Sequence, residues 1–120
     1  METIKIYHNP RCSKSRQALE LLQAYAKTHT IEVVEYLKNP PTKKELKHIV
    51  DALQISAKEL IRTNEAEYRS SPLGSNATET EYLEKMLAHP KIIERPIILL
   101  KDKAVIGRPP ENIHLLLEKK

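Results

Sequence analysis

The stretch Thr3-Ile4-Lys5-Ile6-Tyr7-His8-Asn9-Pro10-Arg11-Cys12-Ser13-Lys14-Ser15-Arg16-Gln17-Ala18-Leu19 changes its hydrophobic period halfway along. Ile4-Lys5-Ile6 alternates apolar and polar residues, the two-residue repeat of a short strand. His8-Asn9-Pro10-Arg11 breaks that repeat. From Ser13 onward the apolar residues Ala18, Leu19, Leu22, Tyr25 and Ala26 fall on one side of a helix, which Thr28, His29 and Thr30 are expected to end. A strand that hands over to a helix through a tight loop leaves Cys12, the chain's only cysteine, at the start of that helix.

Beyond this stretch, Ile31 to Leu37 predicts a second strand, and strand, helix, strand with short links implies a right-handed βαβ unit with parallel strands. Asn39-Pro40-Pro41 stops the strand. Thr42 with Glu45 three residues later has the spacing of a capping box. The region from Thr42 to Ala88 carries no strand signal. Leu46, Ile49, Val50 and Leu53 follow helical spacing, Ser56 can cap a second helix with Ala57, Leu60 and Ile61, and Ser70 to Ser75 reads as a loop. Thr78 with Glu81 can start a third helix, through Tyr82, Met86 and Leu87, that ends before His89-Pro90. The runs Ile97-Ile98-Leu99-Leu100 and Ala104-Val105-Ile106 flank Lys101-Asp102-Lys103 and predict an antiparallel hairpin. Gly107-Arg108-Pro109-Pro110 breaks it, and Glu111 to Leu117 predicts a last helix. The order is βαβ, a helical block, then ββα. With residues 42–88 set aside as a helical insertion, this is the α/β order of a thioredoxin-like domain, one domain over residues 1–120.

Composition narrows the function. Hydrophobic residues make up 40% and charged residues 30% of 120, the balance of a soluble globular chain. Five tyrosines stand without Trp or Phe, so Leu, Ile, Val and Ala must build the core. The net charge of +4 suits an anionic partner. Nucleic acid is disfavoured, because basic residues are interspersed with acidic ones and stacking residues are sparse. Lys43, Lys44, Lys47, Lys119 and Lys120 read as a solvated surface. The segment Met1 to Tyr7 is too short and charged for a signal peptide, and no apolar run could span a bilayer. A lone cysteine cannot form an internal disulfide, so the cytoplasm is the expected location and a monomer the expected state.

The thiolate is the reactive form of cysteine, and an ordinary thiol, with pKa ~8.5, is only slightly ionised at neutral pH. A helix N-terminus offers Cys12 free N–H groups and a positive dipole end. Arg11, Lys14 and Arg16 add nearby cationic charge, and the Ser13 and Ser15 hydroxyls can donate to the anion. His8 at the strand's carboxyl end faces the same loop, either as an imidazolium beside the sulfur or as a proton carrier. Most single cysteines are inert small hydrophobes; the strand-loop-helix setting and polar neighbours argue otherwise here. A phosphatase-type C-x5-R loop would need arginine at position 18, which is Ala18. A C-x-x-C redox pair would need cysteine at position 15, which is Ser15. Any reduction by Cys12 therefore takes its second thiol from outside the chain. His8, His29, His48, His89 and His114 are dispersed without ligand spacing, so no metal and no bound cofactor are expected.

Arg62, Arg95 and Arg108 lie at segment boundaries, and spacing alone would leave them as surface arginines. The thioredoxin-like order sets Arg95-Pro96 next to the start of the first helix, where converging guanidinium groups would form an oxyanion cradle.

The run Tyr7-His8-Asn9-Pro10-Arg11-Cys12-Ser13-Lys14-Ser15-Arg16 resembles the active-site segment of the glutaredoxin-coupled arsenate reductase family. Tyr36-Leu37-Lys38-Asn39-Pro40-Pro41 with Glu45-Leu46, Leu60-Ile61-Arg62, Glu94-Arg95-Pro96-Ile97 and Gly107-Arg108-Pro109 match further blocks in the same order, and the chain is particularly similar to the short bacterial members. The resemblance implies a thioredoxin-like fold with a helical insertion. It implies Cys12 as nucleophile, His8 and Ser15 as thiolate-activating neighbours, and Arg62, Arg95 and Arg108 as oxyanion ligands. Pro96 would be the cis-proline beside the cysteine. It further implies arsenate as substrate, glutathione as co-substrate and glutaredoxin as partner. Ser13-Lys14 stand where well-established members carry Gly-Thr, which adds bulk beside the anion site. A glutathione-dependent reductase of mixed disulfides is the alternative activity, with Arg11, Lys14 and the arginines holding glutathione carboxylates. A polymerase-binding regulator ranks last, because regulators similar to this family carry the C-x-x-C switch that Ser15 removes.

Overall fold

The computed structural model describes residues 2–74 and 76–117. Strand β1 (Glu2–His8) leads to helix α1 (Ser13–Leu22), a 3-10 turn (Gln23–Tyr25) and strand β2 (His29–Glu35). Helix α2 (Lys43–Leu53), a 3-10 turn (Ala57–Leu60), α3 (Ala66–Arg69), α4 (Glu79–Ala88) and a 3-10 turn (Pro90–Ile92) follow. Strands β3 (Ile97–Leu100) and β4 (Lys103–Ile106), a 3-10 turn (Pro110–Asn112) and α5 (Ile113–Leu117) complete the described chain. The sheet order is β2-β1-β3-β4, with β1 parallel to β2 and antiparallel to β3, and β3 antiparallel to β4. This is a mixed α/β, thioredoxin-like arrangement, with the helical insertion between its βαβ and ββα halves.

Strand parity decides which helices cover which face. Ile4 and Ile6 of β1 and Ile98 of β3 point to one side, where they pack with Ala18 and Leu22 of α1 and Ile113 and Leu116 of α5. Tyr7, Ile97 and Leu99 point to the other side, into a second core built on Leu46, Ile49, Leu60 and Met86 of the insertion. His8 shares the parity of Ile4 and Ile6, so the strand delivers its side chain beneath α1.

Both capping boxes form. Thr42 Oγ1 accepts from the Glu45 N–H at 3.1 Å while Glu45 accepts from the Thr42 N–H at 2.8 Å. Thr78 and Glu81 repeat this at 3.2 and 2.7 Å. Each box contributes about 1 kcal/mol to its helix.

Some boundaries move. His29 and Thr30, expected to end the first helix, instead begin β2, where they pair with Glu2 and Thr3. Polar residues at an exposed sheet end hide that pairing from hydrophobic patterning. Tyr36 and Leu37, expected as strand, lie in a turn, because the N–H groups of Lys38 and Asn39 both donate to the Glu35 carbonyl at 2.9 Å. The Ser56 helix is one 3-10 turn with no side-chain cap, and α3 was not foreseen. Lys103 belongs to β4, which leaves a two-residue hairpin turn with Lys101 at φ 56°. The expected loop is irregular from Pro72 to Gly74. Ser75, Lys119 and Lys120 lie outside the described residues. Among the described residues no helix is long and apolar enough to cross a membrane.

Gly107 sits where the backbone leaves no room for a side chain. Its N–H donates to the Pro96 carbonyl at 2.8 Å. An added Cβ would stand 2.7 Å from Ile98 Cδ1, 3.1 Å from Pro96 Cγ and 3.4 Å from Ala18 Cβ. Gly107→Ala is expected to destabilise the protein by about 1–3 kcal/mol through overpacking, a lowered urea midpoint being the measurement.

Candidate active site around Cys12

The loop that presents Cys12 is braced by its own polar groups. The Asn9 carbonyl accepts from the Cys12 N–H at 3.0 Å, and Asn9 Oδ1 accepts from the Arg11 N–H at 3.0 Å. Arg16 Nη1 donates to the Pro10 carbonyl at 2.9 Å, which fastens the loop to α1. Cys12 is the N-cap of α1, with extended angles (φ −97°, ψ 121°), and its carbonyl accepts from the Arg16 N–H at 3.0 Å to open the helix. Helices α2 and α4 carry glutamates in their first turns, whereas α1 has no acidic residue there. The positive end of α1 is therefore left to the sulfur.

Burial of the Cys12 sulfur works against ionisation, but the Ser15 N–H, the Arg95 guanidinium and the Lys14 N–H together outweigh it, and the thiol pKa lies below its ordinary value. Arg108 Nη2 donates to Cys12 Sγ at 3.6 Å. Cys12 remains partly exposed, at the wall of a cleft of about 500 Å³ that Arg11, Leu37, Lys38, Lys91 and Arg95 also line. That arrangement favours the thiolate form of Cys12, sets cations beside it and leaves room for a second molecule.

His8 and Ser15 meet as their positions dictate. Ser15, Ala18 and Leu22 form the buried stripe of α1, and His8 reaches that stripe from below. His8 Nδ1 lies 2.7 Å from Ser15 Oγ, which also accepts from the Asn9 N–H at 3.1 Å. Burial lowers the His8 pKa, with Arg16 adding to the effect and Glu35 opposing it. Its contact is thus with the serine hydroxyl, and burial disfavours its imidazolium form. A histidine whose pKa is lower folded than unfolded binds fewer protons in the folded state. Stability then falls as pH drops from about 6.5, the ordinary histidine value, through the lowered folded value. His8→Gln should lose less stability than the parent protein between pH 7 and 5 in urea titrations.

The three arginines do not stand alike. Arg95 and Arg108 act on the sulfur directly. Arg62 is brought to the site by a bridge between Ile61 and Ile93, with its N–H donating to the Ile92 carbonyl at 2.7 Å and the Glu94 N–H donating to the Leu60 carbonyl at 2.8 Å. Its guanidinium is held by Glu65 (Nη1–Oε2, 3.0 Å) and Glu94 (Nε–Oε1, 3.5 Å), and Glu65 also lies 3.9 Å from Arg95 Nη1. Sequence reasoning missed Glu65 and Glu94, although the Arg62–Glu65 spacing of three and the adjacency of Glu94 to Arg95 were both visible. The peptide bonds before Pro96 and Pro109 are cis.

The site thus sets one thiol at a helix N-terminus of a thioredoxin-like sheet, with the Arg95 and Arg108 guanidinium groups beside it. Comparison with known proteins makes the assignment specific. The model of the ArsC family matches residues 7–116, and the chain belongs to that family. It is 44% identical over 119 residues to an arsenate reductase of Neisseria meningitidis serogroup A, covering 98% of this chain and all of the relative. It is 43% identical to the uncharacterized protein YfgD of Escherichia coli K12, covering 92% of each. The structure of an arsenate reductase from Vibrio cholerae superposes with a TM-score of 0.89 at 36% identity, over 97% of this chain and 98% of that one.

Proposed function

We propose that this protein is an arsenate reductase that works through the Cys12 thiolate and takes its electrons from glutathione and glutaredoxin. The observation that carries the reading is a lone thiol whose ionisation is favoured by the Ser15 N–H and Arg95, and on which Arg108 also donates at 3.6 Å. The names of the relatives support the substrate. The thiolate attacks arsenic(V), forming a sulfur–arsenic bond and expelling one arsenate oxygen as water after protonation. Glutathione displaces a second oxygen, again as water, which leaves arsenic between two sulfurs. A glutaredoxin thiolate then attacks the glutathione sulfur, and the electron pair of the broken sulfur–arsenic bond reduces arsenic to the trivalent state. Hydrolysis releases arsenite and regenerates Cys12.

Arg95 and Arg108 hold the oxyanion and Arg62 completes the cradle, while the Ser15–His8 pair moves protons to departing oxygens. The cleft exceeds what a tetrahedral oxyanion needs, and its Lys38, Lys91 and Arg11 suit the carboxylates of glutathione. No metal or bound cofactor takes part, and the reducing cytoplasm supplies the thiols. The test is NADPH oxidation coupled through glutathione reductase, glutathione and glutaredoxin. Arsenate-dependent oxidation is the expected result. Folded protein that ignores arsenate but turns over a glutathionylated peptide would instead be a mixed-disulfide reductase, the second reading that the size of the cleft favours.

A further inference from the structure

Among the described residues, three side-chain polar atoms are buried without a hydrogen-bond partner: Tyr36 Oη, Arg95 Nε and Arg95 Nη1. They belong to two neighbouring residues. Tyr36 is 2% exposed, and its hydroxyl lies in the field of the Arg95 guanidinium, with the charges of Cys12 and Arg62 also acting on it. Glu65, at 3.9 Å from Arg95 Nη1, is too far to satisfy that nitrogen. A buried orphan is costly, and three at one place next to a reactive thiol call for a functional cause.

We propose that the Tyr36 hydroxyl is a positioning residue for Arg95, accepting a hydrogen bond from the inner edge of the guanidinium when its outer edge engages an oxyanion beside Cys12. The inference deepens the reading that this pocket takes an oxyanion and rests on it. In the free protein the guanidinium sits between Cys12, Glu65 and Tyr36 without a closed bond to its inner nitrogens. An anion in front of the sulfur fixes the plane of the fork, and a small rotation gives the inner N–H groups their acceptor. The hydroxyl thereby sets the geometry of the arginine rather than touching the reacting atoms, and its own proton stays in place, with no covalent change.

Tyr36→Phe removes one oxygen and keeps the ring that fills the core. The probes are inorganic phosphate, sulfate and arsenate, each titrated as protectants of Cys12 against iodoacetamide. The half-protecting concentration is expected to rise about tenfold in Tyr36→Phe, the loss of one charge-assisted hydrogen bond. With arsenate turnover the effect should fall on KM more than on kcat. The melting temperature should hold or rise, since an orphan hydroxyl leaves the core. In an Arg95→Lys background the same substitution should change protection less than twofold, because the two groups act as a unit. Unchanged protection in Tyr36→Phe, or an equal loss with Lys at position 95, overturns the proposal. If phosphate or sulfate protects but arsenate is not reduced, the activity fails and the role of Tyr36 is decided by protection alone. If no anion protects the parent protein, both fall together.

Discussion

Cys12→Ser is expected to lower arsenate turnover by roughly four orders of magnitude or more, to the background of the coupled assay, while the fold survives or gains stability. The loss follows from removing the only nucleophile, since a serine hydroxyl in the same place stays protonated at neutral pH. The stability change has the opposite sign. Cys12 holds the extended N-cap conformation of α1 without a side-chain cap hydrogen bond, and serine is among the preferred N-cap residues. A gain of up to about 1 kcal/mol is expected where the thiol is protonated. The lowered thiol pKa adds a pH dependence whose sign is definite. A group with a lower pKa in the folded state contributes stability above its unfolded value, and that contribution fades as pH falls through the folded value. The advantage of serine should therefore be greatest in mild acid and shrink as pH rises. Parallel urea unfolding of the two proteins across that range measures it.

Arg95→Ala is expected to cost roughly 10²–10³ in kcat/KM. Arg95 is both a cause of the lowered Cys12 pKa and a donor with unengaged buried nitrogens, so its loss removes thiolate stabilisation and anion binding together. Arg62→Ala should cost less, about tenfold, because the Arg62 guanidinium is tied to Glu65 and Glu94 rather than to the sulfur. Steady-state kinetics of the two variants in the same coupled assay give the order. Equal losses would mean that Arg62 leaves its carboxylates and grips the substrate as tightly as Arg95 does.

Where hydrophobic period and capping chemistry act locally, the sequence could be read directly. The switch from alternating to helical spacing around Cys12, the Thr42/Glu45 and Thr78/Glu81 boxes, and the Ile97–Ile106 hairpin all depend on neighbours within a few residues. The resemblance implies His8 and Ser15 as neighbours of the thiolate, and strand parity accounts for their meeting once the structure shows α1 covering the face of Ile4 and Ile6. What escaped was decided by distant pairing. Glu65 acquires its role because the Ile61–Ile93 bridge folds the insertion against the segment before β3. Tyr36 reads as the end of a strand, and only the turn around the Glu35 carbonyl and the position of Arg95 give its hydroxyl a chemical context. His29 and Thr30 pair with Glu2 and Thr3 without any apolar residue to announce it.

The most direct test of the account is the rate of Cys12 alkylation by iodoacetamide as a function of pH. A sulfur held by the α1 N-terminus, Arg95 and Arg108 should titrate below the ordinary thiol value of about 8.5, and the midpoint should move upward in Arg95→Ala. A midpoint at that ordinary value in the parent protein, unmoved by the substitution, would contradict the account.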